Sequence, residues 1–201
     1  MRHYTQRHLV GILALLLAAA CGGGRKQVLV APVVDLAPHS RIGLVTLTSQ
    51  GASGSLPEFA TQRFAERMLG AQQGIEILEL GVVPGPLDAA AARRLGAEHG
   101  VRTIIVGHLV VSDVKPRATI IGGMNLSAEA TLSLAAKMLS TESGATLWTQ
   151  SSRLRETLAS VSMVNGRAVF GAQDPKEAYG EVVDQLVWNV THDFRATWVR
   201  Q

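Results

Sequence analysis

The sequence predicts an α/β domain in which β-α-β-α-β is followed by a long antiparallel hairpin and a C-terminal helix packed on a mixed sheet. Three observations predict it. Apolar, β-branched runs at 41–48, 75–80 and 102–111 alternate with helix-periodic stretches at 55–70 and 87–99. Leu126, Ala128, Ala130, Leu132, Leu134, Ala136 and Met138 alternate with mostly polar neighbours, the period of a half-covered strand. Tyr179, Val182, Val183, Leu186, Val187, Val190 and Phe194 then form one apolar helical stripe.

The first element is not part of the domain. Arg2 and Arg7 precede an uncharged apolar run, 9–17, that closes on Ala18, Ala19 and Ala20. That order is a signal peptide, and the run is far shorter than the roughly 20 residues of a spanning helix. Ala18-x-Ala20 also suits the ordinary peptidase that leaves a free N-terminus. A single cysteine placed directly after three small residues and before Gly22, Gly23 and Gly24 resembles the bacterial lipobox, which makes Cys21 the expected lipid-attachment residue. Gly22 in place of aspartate resembles an outer-membrane sorting signal. Residues 1–20 therefore read as a removed leader, 21–40 as a lipidated cysteine and short tether, and 41–201 as a single domain. Fully extended, 22–40 reaches roughly 60 Å, with 28–34 able to form an edge strand.

Composition narrows the classes. One cysteine excludes an internal disulfide and a cysteine-rich metal site, so a packed core must hold the mature chain together. An apolar content of 47% with few aromatics suits a core of Ala, Val and Leu. The formal charge of +3 falls to +1 once Arg2 and Arg7 leave, so nucleic acid is not implied.

Within the domain, 41–48 is apolar enough for a buried strand, broken by Gly and Ser at 49–54. Ser55 and Glu58 have capping-box spacing with Pro57 in the first turn, and Ala60, Phe64 and Met68 repeat on one face. A second strand at 75–80 and a turn at 84–86 lead to an alanine-rich helix, 87–99, with Leu87, Ala91 and Leu95 aligned and Gly100 as its stop. The strand at 102–111 is apolar on both faces around Thr103, Ile104, Ile105 and Val106, as the middle of a covered parallel sheet requires. The period-two strand turns at Thr141, Glu142, Ser143 and Gly144 and returns through 145–158 with Trp148, Arg153 and Arg155. Asp174, Pro175 and Glu177 mark the start of the last helix.

This order behind a lipobox resembles the curli-secretion (CsgG-like) lipoprotein family and its relatives, the amino-terminal domain of TolB and the lipoprotein activators of penicillin-binding proteins (LpoB-like). The carrying residues are Thr141-Glu142-Ser143-Gly144-Ala145-Thr146-Leu147-Trp148, similar to a TG-x-x-x-W hairpin turn, and the strand entry Gly100-Val101-Arg102-Thr103-Ile104-Ile105-Val106-Gly107. The likeness covers about 41–198 and implies fold more than activity. In the curli channel this fold carries membrane-spanning hairpins, whose strands need about 9 to 11 residues each. The insertions here, 115–124 and 159–173, fall short of two such hairpins, and the tether is shorter than the leaders of the synthase activators.

Catalytic chemistry leaves no pattern. The 50–55 loop has the position of an anion-binding turn but no P-loop Lys-Ser/Thr, no G-x-G-x-x-G and no G-x-S-x-G, and turn plus helix cap explains it. His39, His99, His108 and His192 belong to four elements without H-E-x-x-H. Glu156, Asp174, Glu177, Glu181 and Asp184 read as a solvated helix face and its surroundings, and Trp148 and Trp188 as core or element-edge residues. No catalytic residue, cofactor or metal is expected.

Two segments combine apolar residues, glycine and isolated cations outside regular elements. Lys115, Arg117, Ile120, Ile121 and Met124 in one, and Met163, Val164, Arg167 and Phe170 in the other, flank the central hairpin and are expected to meet at one end of the sheet. They form either a partner-binding surface or a local lid. The expected function is a periplasm-facing accessory lipoprotein, anchored by its lipid to the outer membrane, that binds an envelope protein during assembly, secretion or regulation. The alternative is a subunit of a homo-oligomeric export channel; an envelope hydrolase is the class these residues support least.

Overall fold

The computed structural model describes residues 26–51, 55–85, 87–119, 125–159, 161–164, 167–170 and 175–200, with the backbone alone described within 113–128 and 157–178. The expected signal segment and the expected lipid-attachment residue, Cys21, lie outside the described residues. The chain divides into two compact units, one combining the residues up to 31 with those from 196 onward, the other running from 32 to 195.

The first unit is a two-stranded antiparallel ribbon. β1 (Gln27–Val30) pairs with β10 (Thr197–Arg200), with Leu29 opposite Trp198 and Val28 opposite Val199. β1 realises part of the edge strand read at 28–34. β10 went unread, because a four-residue strand at a chain end has too few positions to show a period.

The second unit carries the α/β fold. β2 (Arg41–Val45), β4 (Glu76–Gly81) and β5 (Thr103–Thr119) are parallel; β6 (Asn125–Ser140) and β7 (Thr146–Ala159) continue antiparallel, giving the order β4-β2-β5-β6-β7. A short β3 (Thr48–Gln50) also pairs with β5 in parallel, so the single run read at 41–48 is two strands. The fold class is thus the mixed α/β sheet with helices that the sequence patterns specify.

Helices α1 (Leu56–Ala71) and α3 (Pro175–Val190) cover one face of the sheet. Phe64 and Met68 of α1 meet Ile42, Leu44, Ile105 and the even-numbered residues 130–138 of β6, all buried. Every residue of the α3 stripe is buried, ending on Phe194 in a short 3-10 turn. The expected Ser55 capping box does not form: Ser55 makes no side-chain cap bond, and the helix starts instead with Phe59 N–H donating to Ser55 O at 3.0 Å.

α2 (Ala89–His99) lies on the other face. Asp88 caps it by accepting from Ala91 N at 2.7 Å, and Gly100 ends it in the left-handed conformation at φ 64°. Its buried residues are Ala92 and Gly96, while Leu95 is only half-buried, because the contact is a close backbone approach. A Cβ on Gly96 would lie 2.4 Å from Thr141 Cβ, and one on Gly144 would lie 2.3 Å from Ala89 Cβ. The β6–β7 turn is therefore seated on α2, with Thr141 Oγ1 donating to Val101 O at 2.9 Å.

Residues 34–36, read as tether, are held against the core. Leu36 is fully buried, its N–H donates to Gln72 Oε1 at 2.8 Å, and Gln72 Nε2 donates to Val34 O at 2.7 Å and Phe194 O at 3.0 Å.

Candidate functional site

The two segments expected to bind a partner are not loops throughout. Lys115 and Arg117 continue β5, opposite Glu129 and Ser127 of β6, after a register shift beyond Ser112. Met163 and Val164 form β8 (Val161–Val164), and Arg167 and Phe170 form β9 (Arg167–Phe170); they pair as a hairpin with Val164 opposite Arg167 and Val161 opposite Phe170. The sequence hides these strands because β8 and β9 have four residues each and the end of β5 carries Lys115, Pro116 and Arg117, so no alternation builds up. β8 approaches β6, so the second hairpin lies beside the strand that carries the first. Ile120, Ile121 and Met124 lie outside the described residues.

Two hollows on the sheet were missed by the sequence reading. Since α1 and α3 share a face and the short α2 reaches only the start of β5, the rest of the second face, across β5, β6 and β7, is left without a helix. A hollow of about 350 Å3 opens there, walled by Val83 and Leu87 of the β4–α2 connection and floored by Val45, Val106 and Ala135. A second hollow of about 480 Å3 adjoins it, sharing His108 and Ala135 and lined by Ser133, Ser151 and Arg153. The register sets successive levels along the strands: Val106, Lys137 and Thr149, then His108 and Ala135 with Ser151, then Val110 and Ser133 with Arg153. Thr48 Oγ1 and His108 Nδ1 lie 2.8 Å apart. Among the described residues no carboxylate lines either hollow, and neither Lys137 nor Arg153 has an ion-pair partner.

A second exposed feature lies at the α1–α3 seam. The Arg195 guanidinium stands 3.4 Å from the Trp188 ring centroid and the Arg67 guanidinium 4.9 Å from it, while Arg67 Nη2 donates to Asp184 Oδ2 at 2.5 Å. Burial first, and then the positive charge of Arg67, lowers the pKa of Arg195 from its usual value. Trp188 keeps 42% exposure, so it is an edge residue; Trp148 is core, 4.6 Å from Phe194 and donating its Nε1–H to Asp193 Oδ2 at 3.0 Å.

The histidines stay apart. His39 sits in the 3-10 turn Ala37–His39, its pKa lowered by burial and by Arg102, and His99 closes α2. His192 lies 3.8 Å from Asp193. Among the described residues, no group of three or more His, Cys, Asp or Glu could hold a metal.

No protein-family model matches the chain, and no curated protein matches it. Solved structures give distant likenesses. The PelC dodecamer from Paraburkholderia phytofirmans is 13% identical, covering 86% of this chain and 98% of that one at a TM-score of 0.47. Lipoprotein GNA1162 from Neisseria meningitidis is 13% identical over 59% of this chain and 83% of its own, at 0.40. The LpoB C-terminal domain from Salmonella enterica is 11% identical over 63% and 86%, at 0.35. Superpositions this loose assign neither the activity nor the partners of this chain.

Proposed function

We propose that the mature chain is a lipid-anchored envelope protein, tethered through Cys21 to the periplasmic side of the outer membrane, and that its domain docks a protein partner without performing catalysis. The observation that carries the reading is the N-terminus: two arginines, a short apolar run, three alanines and then the single cysteine. The resemblance to CsgG-like and LpoB-like lipoproteins points the same way. For the docking end we favour the outer part of the β5–β6 hairpin together with β8–β9, because both carry isolated cations and apolar residues on paired strands, and β8 approaches β6.

Two experiments test it. Cys21→Ser should abolish fatty-acid labelling and release the protein from membranes; unchanged labelling defeats the anchor. Crosslinking capture from intact cells should then recover one envelope protein with the native chain and lose it when Arg117, Ile121, Arg167 and Phe170 are all alanine. Equal recovery from both defeats the docking surface.

A second reading, a subunit of an oligomeric export channel, is favoured by one observation. β5 runs for 17 residues and β6 for 16, so the hairpin is longer than the helices beneath it need. Detergent-stable rings that conduct ions would select this reading over the accessory role.

A further inference from the structure

The two hollows on the open sheet face differ in chemistry and meet at His108 and Ala135. One is walled mainly by Val45, Val83, Leu87 and Val106, with Lys137, Thr48 and Thr149 also in its lining, and its volume falls in the range of small-ligand sites, which are mostly apolar with a few polar groups. The other presents Ser133, Ser151 and the unpaired guanidinium of Arg153. From the level of Val106 to that of Val110 the trough spans four residues of strand, roughly 13 Å at about 3.3 Å per residue. An apolar pocket that opens into a basic, hydroxyl-lined one matches a molecule with an apolar tail and an anionic head. A purely polar anion would leave the valines and Leu87 unused, and a neutral apolar ligand would leave Arg153 without a counter-charge.

We infer that this trough binds a single-chain amphiphile with an acidic headgroup, the acyl chain lying against Val45, Val83, Leu87 and Val106 and the headgroup at Arg153. Lys137, exposed in the lining of the apolar hollow with no acid among the described lining residues, adds positive potential along the trough and disfavours a cationic head. The site is separate from the β5–β6 and β8–β9 ends assigned to docking, so it stands or falls independently of that role.

The test uses the mature lipidated chain, released in a mild nonionic detergent, titrated with dodecanoate and read by native mass spectrometry. One dodecanoate per chain, saturably bound, is expected, with dodecanol and dodecylamine bound far more weakly. Ala135→Trp fills the junction from an exposed position and should remove the adduct while leaving the circular dichroism and melting unchanged. Arg153→Glu should weaken dodecanoate roughly ten-fold or more, the scale of one lost charge-assisted hydrogen bond. Absence of the adduct from the native chain, or its persistence in Ala135→Trp, overturns the inference. So does equal binding of dodecanol and dodecanoate, which removes the headgroup assignment. A dimer without adduct that Ala135→Trp splits would show that a second copy covers this face instead.

Discussion

At the scale of single residues, the positions that decide the fold are those where a side chain is missing. Gly96 and Gly144 let α2 and the β6–β7 turn approach within a distance that a single methyl group would prevent. Gly96→Ala is expected to destabilise the protein by about 1 to 3 kcal/mol in chemical denaturation, since Thr141 Cβ is held by the hairpin and cannot retreat. Gly70→Ala is the contrasting case: it is helical, nothing lies within 4 Å of its added carbon, and it should stabilise by about 0.5 to 1 kcal/mol. Equal effects at the two sites would mean that the α2 contact is not tight. This explains why the Thr141 to Gly144 motif could be located from the sequence while its purpose could not. A turn needs Gly144 at φ 74° for its own geometry, and the second demand, from Ala89, arises only when the helix arrives.

At the scale of elements, the α3 stripe and the alternation of β6 were legible because each is long enough for its period to outweigh its exceptions. The short pieces were not. β3, β8, β9 and β10 have three or four residues each, and β5 runs on through Lys115 and Pro116, whose composition suggests a loop. There the ladder with β6 overrides local preference, as tertiary pairing does in sheets. Residues 34–36 follow the same rule: Leu36 looks like a linker residue, but Gln72 accepts from its N–H and donates to Val34 O, which holds it in the core. Leu36→Ala should cost about 2 to 5 kcal/mol, whereas Val33→Ala, at 77% exposure, should cost under about 0.5 kcal/mol. A Leu36→Ala variant with native stability would return residues 34–36 to the tether.

At the scale of the whole molecule, the uneven distribution of helices has the widest effect. Two helices on one face and a short one on the other leave the trough open, a result of packing that no local motif announces. His108, Lys137 and Arg153 were each visible as strand residues, but their shared face depends on the register of three strands. Stability is expected to be uneven too. Hydrogen exchange should be slowest in the centre of the β5–β6 ladder and fastest in the β1–β10 ribbon, because a lone pair of strands is marginal in water. Equal protection in the two would show that the ribbon is covered by something further.

That ribbon also joins residues far apart in sequence, with Gln27 opposite Arg200 and Val28 opposite Val199. Val28 and Val199 are both exposed, so a pair of spin labels there would report the opening of this ribbon as a single distance.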